Sequence, residues 1–107
     1  ALKSNKNLRM ITFPKYLKYN YAYMPIFFND GIMVRDKVYK SLKDKNIICR
    51  KYWYPILPDH NFYKNSIIND LTNARKLSES VLCLPIYPDL NSKNINLIIQ
   101  VIEQVLG

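Results

Sequence analysis

Glycine is nearly absent from this chain: 107 residues contain two, Gly31 and Gly107. Collagen-like repeats, flexible linkers and phosphate-cradling loops each need several glycines, because only a residue without Cβ lets backbone approach a phosphate or a triple-helix axis closely. Those classes are excluded. A single histidine, His60, excludes a site built on two imidazoles. The two cysteines, Cys49 and Cys83, stand too far apart for CxxC spacing. Each lies in an apolar stretch, where a free thiol behaves as a small buried hydrophobe, so reduced cysteines and a cytoplasmic location are expected. No apolar run approaches the roughly 20 residues that span a bilayer. The start, Ala1-Leu2-Lys3-Ser4-Asn5-Lys6, has no signal-peptide core. No membrane partner is expected.

What is present is ordinary globular composition, 49% hydrophobic and 22% charged, in a length that fits one domain with a real core. Charge is unbalanced: 16 Lys and Arg against 8 Asp and Glu leave +8. Lys3, Lys6, Arg9, Lys15 and Lys18 all precede the first acid, Asp30. Cations also sit beside aromatics, at Lys15-Tyr16, Lys18-Tyr19 and Arg50-Lys51-Tyr52-Trp53-Tyr54, an arrangement able to stack bases. No RNP, KH or helix-turn-helix signature accompanies them. A solvated basic surface with no nucleic-acid partner is the simpler reading, and a stand-alone basic module for single-stranded nucleic acid is the alternative.

Hydrophobic periodicity divides the chain. Residues 1–18 are basic and patternless, with Pro14 unsuited to a helix interior, and read as an arm. Residues 20–29 are extended and aromatic, and Pro25 marks that strand as an edge or broken one. Asn29-Asp30-Gly31 is turn chemistry. Val34, Val38, Tyr39 and Leu42 then recur at helical spacing, with Asp36 near the helix start, lysines toward its end and Asn46 suited to the left-handed stop. Residues 47–54 are β-branched and aromatic and read as a strand. A polar loop over 59–70 follows, and then a short helix over 72–80 with Ala74 and Leu77 inward. The apolar run 81–86 reads as a buried strand. Asn91 is a good N-cap for a last helix whose apolar face is Ile95, Ile98, Ile99, Ile102, Val105 and Leu106. The fold class expected is α+β: a small sandwich of about three strands in a mostly antiparallel sheet, with helices on one face.

Chemistry is sparse. Nucleophilic catalysis needs a base beside the nucleophile, yet His60 sits in a polar loop and the acids are scattered singly. No catalytic, cofactor-binding or metal-ligating set is assigned. The Arg50–Pro55 stretch stands out. Strand alternation would send Arg50, Tyr52 and Tyr54 to one side and Lys51 and Trp53 to the other. A guanidinium flanked by two phenols suits an anionic or hydroxyl-rich ligand, and Arg50, Tyr52 and Tyr54 are therefore the substrate-binding candidates. The competing reading is a half-buried strand with snorkelling tips.

Taken in order, these segments resemble the C-terminal small domain of the DegT/DnrJ/StrS family of pyridoxal-phosphate-dependent nucleotide-sugar aminotransferases. The resemblance is carried by Asn20-Tyr21-Ala22-Tyr23, by the Arg35-Asp36 pair opening a helix, and by Asn46-Ile47 where the family has Gly-Ile. It continues through Arg50-Lys51-Tyr52-Trp53-Tyr54-Pro55, the form nearest the dTDP-keto-deoxysugar branch. It closes with Leu77-Ser78-Glu79-Ser80-Val81-Leu82-Cys83-Leu84-Pro85-Ile86-Tyr87-Pro88-Asp89-Leu90 and the terminal amphipathic helix. Leu57 stands where many members carry a histidine, and that role is not transferred to His60.

The resemblance implies a connecting arm at 1–19 and an aminotransferase small domain at 20–107, with the large domain absent. It implies pyridoxal phosphate as cofactor of the parent enzyme, none bound to this piece, and no activity of the piece by itself. Its partners would be its own large domain, a homodimer partner and a nucleotide sugar. Its setting would be bacterial surface-polysaccharide or lipopolysaccharide synthesis.

Overall fold

The computed structural model describes residues 2–63 and 70–107. The sheet is antiparallel throughout, in the order β1 (Leu8–Met10), β2 (Met24–Phe28), β3 (Val81–Leu84). With helices α1 (Ile32–Lys43), α2 (Thr72–Ser80) and α3 (Ser92–Leu106), the described residues form the expected α+β architecture. Opposed residues of an antiparallel pair share a face. The register Leu8↔Phe28, Met10↔Ile26, Ile26↔Leu82 and Met24↔Leu84 therefore gathers one apolar face. Val38 and Leu42 of α1 and Ile98, Val101 and Ile102 of α3 complete a single core over it. Among the described residues no helix is long and apolar enough to cross a membrane.

Local signals hold well. Gly31 takes φ 70 and ψ −146 at the start of α1, a region open to a residue without Cβ. Asn46 takes φ 59, its N–H bonding Lys43 O at 2.9 Å while the Ile47 N–H bonds Leu42 O at 2.9 Å. Those two bonds are the Schellman pattern that satisfies the last carbonyls of a helix. At α3, the Asn91 side chain accepts from the Asn94 N–H at 2.9 Å. Asn91→Ala is expected to cost about 1 kcal/mol in urea unfolding, and an unchanged midpoint would show the cap to be idle.

Four expectations are corrected. The N-terminal arm is not patternless: a 3₁₀ turn at Leu2–Ser4 and strand β1 bring Leu2 and Leu8 into the core. On the opposite face, Arg9 stacks 4.8 Å over the Phe27 ring. β2 is the central strand rather than an edge. Its Pro25 is tolerated because Cys83, opposite it, gives both backbone groups to Arg50 instead (Arg50 N to Cys83 O 3.0 Å, Cys83 N to Arg50 O 2.8 Å). On the other side β1 has already ended opposite Ile26, so the missing N–H leaves no ladder bond unmade. Tyr21 and its neighbours form a turn, with φ 54 at Tyr21 and the Asn20 side chain accepting from the Ala22 N–H.

The strand expected over 47–54 is the third correction. It shrinks to the single bridge Arg50↔Cys83, and β1 supplies the third strand of the sheet in its place. The fourth concerns helix faces. α1 begins at Ile32, so Asp36 lies beyond the first turn. α2 turns Ser78 inward, leaving Ala74 and Leu77 exposed. α3 buries Val101 and leaves Ile95 outside. Of the loop expected over 59–70, residues 64–69 lie outside the described residues.

Candidate functional site

Arg50 and Tyr52 stand at a groove of about 710 Å³. One wall comes from the turn after α1, at Lys45 and Ile48, and another from Tyr23. The end of β3 and its continuation through Tyr87, with Asn94 and Leu97 of α3, close the far side. Among the described residues its lining includes two cations, three phenols and no carboxylate. An acid-free mouth with fixed N–H and O–H donors suits a phosphorylated or hydroxyl-rich ligand.

Within the groove, Arg50 Nη1 donates to Tyr52 Oη at 2.6 Å, and the guanidinium carbon lies 5.8 Å from that ring. This bond raises the Arg50 pKa further, so the charge is permanent. Tyr52 in turn packs edge-on against Tyr23, ring centroids 5.5 Å apart. The remaining guanidinium N–H groups are offered to solvent on an exposed side chain.

Tyr54 does not join them. Its ring lies 4.6 Å from the Arg35 guanidinium, on the side of α1 rather than of the groove. The structure thus brings together Arg50 and Tyr52 of the sequence candidates and sends Tyr54 elsewhere, because alternation does not continue where the strand has ended. Lys51 also turns to α1, its Nζ 2.7 Å from Asp36 Oδ1 and 4.3 Å above the Tyr39 ring.

Arg35 is the residue that periodicity missed. A charged side chain on the apolar side of a helix goes against the binary pattern, yet Arg35 is 0% exposed. Its Nε donates to Asp36 at 2.6 Å, and its Nη1 to Ser78 O at 3.0 Å and Val81 O at 3.5 Å. Nη2 has no partner among the described residues. Burial opposes ionisation of Asp36, but the hydrogen bond from Lys51 and the charges of Arg35 and Lys51 win and hold its carboxyl below the usual range. The pairing of Arg35 with Asp36 in the sequence was the available signal.

Elsewhere the chemistry is quiet. Cys49 and Cys83 are buried free thiols. Burial, with Cys83 nearby, pushes the Cys49 thiol up to about 12, and burial also raises Cys83, so neither is a thiolate at neutral pH. His60 is exposed. Among the described residues no cluster of three or more His, Cys, Asp or Glu forms a metal site.

Comparison with known proteins places the chain. The profile of the DegT/DnrJ/EryC1/StrS aminotransferase family matches residues 1–103. A dTDP-4-amino-4,6-dideoxy-D-glucose transaminase from Escherichia coli is 39% identical over 92 residues, covering 82% of this chain and 24% of that protein. The protein of the same name from Shigella dysenteriae is 36% identical over 88 residues, with 80% and 24% covered. The chain therefore spans about a quarter of the length of the curated relatives it matches. Its fold recurs in the aminotransferase TlmJ from Streptoalloteichus hindustanus, with TM-score 0.82 and 22% identity over 98% of this chain and 28% of that one. An aminotransferase from Brucella abortus aligns with TM-score 0.77 and 22% identity, covering 94% and 26%. With nearly its whole length matched by the family profile and its fold shared, this chain belongs to the DegT/DnrJ/EryC1/StrS aminotransferase family.

Proposed function

We propose that the chain is the C-terminal small domain of a pyridoxal-phosphate-dependent aminotransferase that aminates a keto-deoxysugar carried on a nucleotide, dTDP being the carrier. The whole enzyme works in the cytoplasm of a bacterium and supplies amino sugars for surface polysaccharide or lipopolysaccharide. It functions as a homodimer, and neither nucleic acid nor a membrane is a partner. The observation that carries this reading is the acid-free groove holding the Arg50–Tyr52 pair, in a chain of this family.

Pyridoxal phosphate needs a lysine inside an enclosed site and a cup of donors for its phosphate. Every lysine among the described residues is exposed except Lys51, and Lys51 is engaged by Asp36 and the Tyr39 ring. The described residues do not fit the cofactor, so its site is assigned to the remainder of the enzyme and the small domain is inactive by itself. The part played here is binding. Arg50 meets the ligand's negative charge with donors left over from its bond to Tyr52, and Tyr52 and Tyr23 give phenolic walls against which a sugar ring packs. Tyr54 supports from the α1 side.

The test is kinetic. In the intact transaminase, Arg50→Ala removes a charged hydrogen-bond donor and is expected to raise KM for the keto-sugar nucleotide by about 10- to 100-fold. The half-reaction with the amino donor should be unchanged. A sugar KM that does not move would remove the groove from substrate binding.

A further inference from the structure

The chain from Lys51 to Tyr54 lacks a strand ladder to hold it, yet it carries the groove residue Tyr52 and follows directly on Arg50. Its anchors are side chains from two helices. Asp36 of α1 takes the Lys51 ammonium at 2.7 Å. Ser78 Oγ of α2 donates to the Trp53 carbonyl at 2.6 Å. Arg35 of α1 stacks on the Tyr54 ring at 4.6 Å. Within the segment, the Tyr54 N–H closes a turn onto Lys51 O at 3.1 Å. Residues 51 and 54 and the Trp53 carbonyl are thus fastened toward the helices, and Tyr52, with the exposed Trp53 ring 5.1 Å from its own, faces Arg50 and the groove.

These anchors share one origin. The Arg35 guanidinium also bonds Ser78 O and Val81 O, tying the end of α2 to the start of β3, while its Nε fixes the Asp36 carboxylate. The same carboxylate oxygen, Oδ1, meets Arg35 Nε and Lys51 Nζ. Lys51 is therefore held by a half-exposed carboxylate that buried Arg35 itself immobilises, and its next residue inherits that placement.

We propose that Asp36 and Lys51 form a positioning pair for the substrate groove: Asp36, clamped by buried Arg35, holds Lys51, and through Lys51 it sets the orientation of Tyr52 and hence of the Arg50 guanidinium bonded to it. The pair touches no ligand; it narrows the freedom of the groups that do. This rests on the reading of the groove given above.

The experiment compares variants in the intact transaminase. Asp36→Asn and Lys51→Met each raise KM for the keto-sugar nucleotide by about 3- to 10-fold. The amino-donor KM and kcat stay within about twofold, the signature of lost sugar binding without lost chemistry. Lys51→Arg, which keeps a cation facing Asp36, restores the wild-type sugar KM. The double variant is no worse than either single one, because both break the same link. Both side chains are partly exposed, and Lys51→Met decides the question if Asp36→Asn fails to fold. A sugar KM within about twofold of wild type in the single variants overturns the positioning role while Arg50→Ala still impairs binding. Uniform loss in both substrates together with lowered stability also overturns it, since that marks a merely structural pair. An Arg50→Ala enzyme with unchanged sugar KM instead sinks the groove assignment itself.

Discussion

Phe28→Ala is expected to destabilise the chain by about 3–5 kcal/mol, the range for truncating a large buried aromatic. Phe28 is 1% exposed on the central strand, opposite Leu8, in the core that β1, β2, α1 and α3 enclose. Alanine there removes both the transfer free energy of the ring and the atoms that fill the space between helices and sheet. The neighbouring Phe27→Ala serves as control. Phe27 points to the opposite face, is half-buried and is covered by Arg9, so its loss should cost about 1 kcal/mol. Urea unfolding of both variants distinguishes them. Equal costs would mean that the sheet does not present its two faces as the register requires.

Arg35→Ala is expected to cost a similar amount, about 3–5 kcal/mol, by a different route. Removing the guanidinium leaves Ser78 and Val81 carbonyls without their donor, takes the cation from the Tyr54 ring and opens a void in a fully buried site. It also removes one of the two cations that hold Asp36 ionised. The sign of the pH effect follows. Because the folded-state pKa of Asp36 is depressed, its contribution is present above the ordinary carboxylate pKa and is lost as pH falls through the depressed value. Without Arg35 the depression is smaller, so acid unfolding of Arg35→Ala should begin at higher pH than in the wild type. Urea midpoints and acid-unfolding curves measure the two effects. Superimposable curves would contradict the place given to Arg35 at the junction of α1, α2 and β3.

That junction depends on contacts between elements, which periodicity along one helix does not encode. Apolar spacing correctly placed Val38 and Leu42 inward on α1, but a period of 3.6 has no means of marking Arg35 as buried, because its burial depends on carbonyls from Ser78 and Val81 far along the chain. The same carbonyls and the Trp53 contact explain why α2 turns Ser78 inward and not Leu77. The candidate site divided similarly. Arg50 and Tyr52 were visible as a cation beside a phenol, and they do meet. Strand alternation groups Tyr54 with them, but alternation requires a ladder that continues past Arg50, and a single bridge forms there.

Glycine scarcity, the solitary histidine and the widely spaced cysteines already excluded phosphate-loop, two-imidazole and CxxC chemistry. Local motifs settled the stop of α1 at Asn46, the cap of α3 at Asn91 and the apolar run that becomes β3. All of these act within a few residues, so the sequence by itself determines them. The tertiary structure decided which segment completes the sheet. A three-residue strand such as Leu8–Met10 has too little pattern to announce itself, and it forms because β2 offers an unpaired edge and the core accepts Leu8. It also decided the groove, since Tyr23, Lys45, Arg50, Tyr87 and Leu97 converge only after β2, β3 and α3 pack. Spacing along the chain encodes faces of elements, whereas a binding site is made of distances between them.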